Sequence, residues 1–316
     1  MPLDKQVIRF MQKASTIEQP PIENLTPDEA RRAYLELNRF FEYDGPKLAE
    51  VYDRVISIEA DWRIPIRVYK KNQQEKQPIL IYYHGGGWVQ GSIDTHDALC
   101  RWLAHYSDCI VISVEYRLAP EFPFPTAVHD AYASASWIYR HAAELDGDPN
   151  NIIVAGDSAG ANLAAVVCLK AKKGKVFNPV FQILYYPTIE FTFNSDSYHQ
   201  FAEGYMLTKE RMKWFANHYF RNLEEASHPY ASPILAEDVS DLPPALIITA
   251  EYDPLRDEGE AYADKLKNVG VNVVCKRYSG MIHGFIRAAS IIDKGKQAII
   301  ETSELLKQHL QKKADL

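Results

Sequence analysis

The stretch "NIIVAGDSAGANLAAVV", residues 151–167, passes from an apolar run through Gly-Asp-Ser-Ala-Gly into small residues at helical spacing. A strand followed at once by a helix leaves only residues 156–160 for the reversal. Such a turn forces its central residue into a strained backbone conformation. Glycines at 156 and 160 let strand and helix pass closely. The hydroxyl of Ser158 is then lifted above the strand, at a helix N-terminus. G-x-S-x-G is a weak signal alone, but between a strand and a helix it is the setting of a nucleophilic serine.

Further apolar runs flank this one: "PILIYYH" (78–84), "CIVISVEY" (109–116), "FQILYY" (181–186), "ALIITAEY" (245–252) and "VNVVCKRY" (271–278). Most are continuous in Val and Ile, which suits strands buried on both faces of a mostly parallel sheet. Residues 52–70 alternate more cleanly and read as an antiparallel edge hairpin turning at 60–62. Helical spacing lies between the runs, over 126–145, 161–173, 257–270 and 290–310. This alternation predicts a doubly wound α/β fold with helices on both faces of the sheet. Residues 1–50 and 188–225 break the rhythm. They carry amphipathic pieces at 26–41, with Thr26 as N-cap and Pro27 in the first turn, and at 208–220. Both regions are expected to form one helical cap over the carboxyl edge of a single domain spanning 1–316, where ligands of open α/β sheets bind.

The formal net charge is -7, and the charges are scattered. Nucleic-acid binding, which needs a concentrated positive face, is not expected. The four cysteines, Cys100, Cys109, Cys168 and Cys275, form no Cys-x-x-Cys pair and read as free thiols of a reducing compartment. No apolar stretch approaches about 20 residues, so no membrane span is expected, and the charged N-terminus does not read as a signal peptide. A cytoplasmic protein is the expectation, and a homodimer is compatible with the sequence.

A serine hydroxyl needs a base. Of the five histidines after Ser158, His218 and His309 sit in amphipathic helices, and His199 and His228 fall in or just after the irregular insertion. His283, in "YSGMIHGF", directly follows a strand and is the expected base. The acid that orients it should end the preceding strand. Of Glu251, Asp253 and Asp257, Asp253 stands just past the apolar run and before Pro254, and is preferred. "YYHGGGWVQGS" (82–92) places Gly85, Gly86 and Gly87 after another strand, where bare backbone N–H groups can hold a negative oxygen. The N–H of Ala159 would be a further donor. A phosphate loop is the rival reading, but the G-x-x-x-x-G-K pattern is missing.

Together these motifs resemble the hormone-sensitive-lipase family of carboxylesterases, with the α/β-hydrolase fold. "YRLAPEFPFPTAVHD" (116–130), "GYMLTKERMKWF" (204–215), "HPYASPI" (228–234), "DPLRDEG" (253–259) and "HGF" (283–285) carry the same resemblance, which covers about 52–310. It implies a Ser158–Asp253–His283 triad, an oxyanion hole from the 85–87 glycines and Ala159, and no metal or organic cofactor. It also implies scaffold ion pairs for Arg117 and Glu121, a supporting role for His84 beneath the glycine loop, and a shaping role for Asp157.

The implied partner is a small-molecule ester, cleaved through an acyl-enzyme, with activity falling as His283 becomes protonated. Tyr185, Tyr186, Phe191, Phe193, Tyr205, Met206, Leu207, Trp214 and Phe215 are candidates for an apolar acyl pocket, with Trp88 and Val89 beside it; each also reads as cap packing. Bulky cap side chains favour short to medium acyl chains. An amidase, lactonase or deacetylase on the same triad, or a non-catalytic small-ligand receptor, are the alternatives, since fold alone does not choose among them.

Overall fold

The inward and outward faces of each central strand are both apolar, and each supplies a different core. In the strand at 77–83, Ile79, Ile81 and Tyr83 pack on one side of the sheet, and Leu80 and Tyr82 on the other. In the strand around 151–157, Ile152 and Val154 divide from Ile153 and Ala155 in the same way. The period-2 geometry of a strand therefore turns a continuous apolar run into two helix-binding faces.

The computed structural model describes residues 2–17, 19–40 and 45–314. Helices α1 (Lys5–Ala14) and α2 (Pro27–Phe40) precede the hairpin of β1 (Glu50–Glu59) and β2 (Trp62–Lys70). There follow β3 (Gln77–Tyr83), α3 (Asp97–Ser107), β4 (Ile110–Val114), α4 (Thr126–Arg140), β5 (Gly147–Asp157), α5 (Ala159–Gly174) and β6 (Phe181–Tyr185). The chain continues through α6 (Asp196–Gln200), α7 (Lys209–Tyr219), β7 (Ala245–Tyr252), α8 (Arg256–Asn268), β8 (Val273–Ile282) and α9 (Asp293–Ala314). Among the described residues eight strands form one sheet in the order β1-β2-β4-β3-β5-β6-β7-β8. The first two pairings are antiparallel and the rest parallel.

The expected α/β-hydrolase fold, with its mostly parallel sheet, is therefore present. Differences from the sequence reading lie at element ends. β5 begins at Gly147, ahead of its apolar run, and β8 extends to Ile282. The helix expected over 126–145 stops at Arg140 and finishes as a 3-10 turn. α3 goes unread in the sequence, although the parallel pair β3–β4 requires a crossover there. α2 starts where Thr26 and Pro27 predict it: the Thr26 N–H donates to the Glu29 carboxylate at 2.9 Å and the Glu29 N–H to Thr26 Oγ1 at 3.4 Å, a capping box. Residues 1, 18 and 41–44 of the expected cap region lie outside the described residues. Among the described residues no helix is long and apolar enough to cross a membrane.

Strand register positions the site. Tyr83 of β3 is level with Gly156 of β5, so the glycine loop and the serine turn leave the sheet side by side. Tyr252 of β7 is level with Ile282 of β8, so the next residues, Asp253 and His283, emerge together.

Candidate active site

The serine turn is as tight as the sequence requires. Ser158 has φ 56° and ψ -120°, a conformation costing roughly 1–3 kcal/mol. It is held by its own N–H, which donates to the Tyr185 carbonyl at 2.9 Å. A Cβ on Gly160 would stand 1.9 Å from the Tyr83 carbonyl oxygen, and one on Gly156 would stand 2.4 Å from Gly160. No side chain fits either place.

Ser158, His283 and Asp253 form one hydrogen-bonded chain. The Ser158 Oγ lies 3.0 Å from His283 Nε2, and His283 Nδ1 lies 2.7 Å from Asp253 Oδ2. Both distances are within reach for proton transfer. A carboxylate only accepts, so Nδ1 carries the proton and Nε2 faces the hydroxyl with its lone pair. Asp253 is fully buried, and its other oxygen accepts from the Leu255 N–H at 2.9 Å. The rival acids are engaged elsewhere. Glu251 accepts from the Gly280 N–H, and Asp257 from the Ser197 N–H.

The glycine loop corrects one expectation. The Gly85 N–H donates to the Asp157 carboxylate at 2.9 Å, so it is not an oxyanion donor; a buried carboxylate captures the nearest backbone donor. Among the described residues the N–H groups of Gly86 and Gly87 have no protein acceptor, and both residues line the cavity that holds Ser158 and His283. Ala159 opens α5, where the first N–H groups lack partners within the helix.

That cavity has a volume of about 120 Å³. Of the expected pocket residues, Met206, Leu207 and Phe215 line it. The others do not, and packing explains each. Trp88 is fully buried and stacks on Tyr219 at 4.4 Å. Tyr185 and Val89 are in the core. Tyr186 packs on the His283 ring at 4.6 Å, and Tyr205 joins Phe201 and Tyr252. Phe191 and Phe193 pack on each other, and Trp214 packs on His218. Sequence reading missed Phe10, Tyr34, Leu37 and Asn38, which reach the cavity from α1 and α2, and Arg211 and Arg287. The Arg in "GYMLTKERMKWF" and the Arg shortly after "HGF" were the available signals. An adjoining polar cleft of about 1050 Å³ shares Asn38 and Arg287 with this cavity. Its Arg67 is paired with Asp53, Asp94 and Asp97, so that guanidinium is satisfied within the protein.

Beneath the loop, Asp157 accepts from Tyr82 Oη at 2.8 Å as well as from Gly85, and His96 Nε2 lies 3.2 Å away. Burial alone would raise the Asp157 pKa. The neighbouring His96 and Arg287, with the hydrogen bonds, outweigh it and hold the carboxyl well below the usual range. The Nδ1–H of His84 donates to the Gly85 carbonyl at 2.9 Å, and its ring stacks on Tyr116 at 4.3 Å. Arg117 pairs with Asp130 at 2.6 Å. Glu121 pairs with Arg31 of α2, which also donates to the carbonyl of Val89, tying α2 to the glycine loop.

Burial pulls His84 from 6.5 down to about 3, and it lowers His96 too. An unfolded chain protonates such a ring near 6.5, whereas in the folded chain His84 resists protonation down to about 3 and His96 is shifted in the same direction. Their contribution to stability is therefore complete above about 6.5 and lost as pH falls, with His84 alone contributing up to about 1.4 kcal/mol per pH unit. Urea unfolding free energies are expected to drop steadily from pH 7 to pH 5. Equal values at the two pH values would contradict neutral burial of His84.

Comparison with known proteins fits this geometry. The alpha/beta hydrolase fold profile matches residues 80–287. This chain is an α/β-hydrolase. It is 43% identical to the carboxylic ester hydrolase LipN of Mycobacterium tuberculosis over 77% of its own length and 65% of LipN. It is 37% identical to an arylesterase of Saccharolobus solfataricus over 90% of its own length and 93% of that protein. The structure of a hyperthermophilic esterase from the archaeon Pyrobaculum calidifontis superposes with a TM-score of 0.92 and 40% identity, over 98% of this chain and 99% of that one. Within the α/β-hydrolases the chain belongs with the carboxylic ester hydrolases related to hormone-sensitive lipase.

Proposed function

We propose that this α/β-hydrolase cleaves short- to medium-chain carboxylic esters through an acyl-enzyme on Ser158. The carrying observation is the Ser158–His283–Asp253 chain, at 3.0 and 2.7 Å, opening into a cavity lined by two free glycine amides. Ser158 Oγ attacks the ester carbonyl while His283 takes its proton. The N–H groups of Gly86, Gly87 and Ala159 receive the oxyanion; losing one such donor costs about 10²–10³ in rate. The alcohol leaves with the proton from His283, and water activated by the same imidazole then releases the acid.

The described parts of residues 1–50, with residues 188–225, make the cap of a single domain. Supporting this, Phe10, Tyr34 and Asn38 meet Met206, Leu207 and Phe215 around one cavity, and Arg287 donates to Tyr34 and Asn38. The cytoplasm suits its four free thiols.

Small size supports short acyl chains: about 120 Å³ is well below the roughly 300–1,000 Å³ of common ligand pockets. Across p-nitrophenyl esters of two to sixteen carbons, kcat/KM is expected to peak at the short end. A maximum among the longest chains would overturn this assignment.

A further inference from the structure

Two guanidinium groups line the cavity that contains Ser158 and His283, and they differ in what holds them. Arg287 is engaged: it donates to Tyr34 Oη and Asn38 Oδ1, and its guanidinium lies 4.7 Å from the centre of the Tyr34 ring. Its charge also acts on the buried Asp157 carboxylate. Arg211 has no such arrangement. Among the described residues no carboxylate stands within 4.0 Å of it, and no acceptor takes a hydrogen bond from its guanidinium. Its guanidinium lies 5.7 Å from the centre of the Phe215 ring, and Tyr34 and Arg287 are near enough to act on its charge. Glu23 acts on it only from beyond ion-pair distance, and burial lowers its pKa. None of its nitrogens is sealed from solvent without a partner, and the residue lines the cavity.

Withdrawing a cation from water is costly unless something pairs with it. Arg211 is half-buried, so water reaches its guanidinium through the cavity; the protein supplies no acceptor, and an occupant that displaces that water is left to pair with it. Arg211 lies four residues before Phe215 on α7, hence on the same face of that helix. Phe215 in turn covers Gly87, where an added Cβ would meet its ring at 2.2 Å. The unpartnered guanidinium therefore belongs to the wall that leads to the glycine loop. Its planar fork matches a carboxylate through two parallel hydrogen bonds. With Arg287 balanced by Asp157, Arg211 leaves the lining with one uncompensated positive charge.

We infer that this pocket takes a carboxylic ester bearing a second, ionised carboxyl group, with Arg211 as the residue that pairs with that group. The inference rests on the esterase reading given above. Hydrolysis itself is unchanged: water adds across the ester bond, and the distal carboxylate only orients the molecule.

The test compares kcat/KM for monomethyl succinate, glutarate and adipate with methyl esters of neutral acids matched in length. In the parent enzyme at least one half-ester should exceed its neutral counterpart. In Arg211→Met that ratio should fall roughly 10- to 100-fold, as expected for a hydrogen bond to a charged group, and mainly through KM. Arg211→Lys should retain part of the preference. If the methionine variant fails to fold, the parent's preference should still shrink at high salt. Neutral esters turned over with no preference for half-esters, or a preference unaffected at Arg211→Met, would overturn the inference and leave the esterase intact. Turnover of neither set by the parent would overturn the esterase reading instead.

Discussion

Ser158→Ala is expected to lower kcat on p-nitrophenyl esters about a million-fold, the scale seen when a nucleophile is removed from a hydrogen-bonded triad. The turn conformation makes this test clean. At φ 56° alanine is no less strained than serine, and the Ser158 N–H that holds the turn to the Tyr185 carbonyl is unaffected. The variant should therefore keep its fold by circular dichroism while losing turnover. The residual rate should stay above that in water, because Gly86, Gly87 and Ala159 still offer their N–H groups. Run on anilides as well as esters, the same pair of proteins separates the rival chemistries. Parent turnover of anilides comparable with esters would favour an amidase, and undiminished ligand binding with no turnover by the parent would favour a receptor. Activity of the variant within tenfold of the parent would place the nucleophile elsewhere.

What the sequence made legible was set by backbone necessity. The reversal at 156–160 could be read because only small residues survive between β5 and α5, and the strands because burial on both faces demands unbroken apolar runs. Asp253 and His283 could be read because each directly follows such a run. Register, which brings those ends together, is not written in either segment alone. The pocket was far less legible. An aromatic residue has the same composition whether it lines a cavity or fills a core, and Trp88, Tyr185, Tyr186 and Tyr205 fill or flank the core. Gly85 shows the same limit for backbone donors: its N–H is aimed at Asp157, 72 positions away in the chain. Tyr34, Asn38 and Arg287 come from opposite ends of the chain, and no spacing rule connects them.

Asp253→Asn should lower kcat about 10⁴-fold with little change in stability, and the reason lies in a hydrogen bond outside the triad. The Leu255 N–H donates to Asp253 Oδ1 at 2.9 Å. In the asparagine variant this donor selects the amide orientation, because only the carbonyl oxygen can accept it. The amide NH₂ is then turned toward His283 Nδ1, where Asp253 Oδ2 now stands at 2.7 Å. Two donors cannot face each other, so Nδ1 gives up its proton and the imidazole adopts the other tautomer. Nε2 then carries a hydrogen toward Ser158 Oγ and cannot accept one. The geometry survives and the base is lost, with the loss of charge also leaving any imidazolium unsupported. Glu251→Gln and Asp257→Asn serve as controls, since their carboxylates bind Gly280 and Ser197. Both should retain kcat within about tenfold, a loss smaller than that of a single oxyanion donor. A mild effect at Asp253 beside a severe one at either control would transfer the orienting role to that residue.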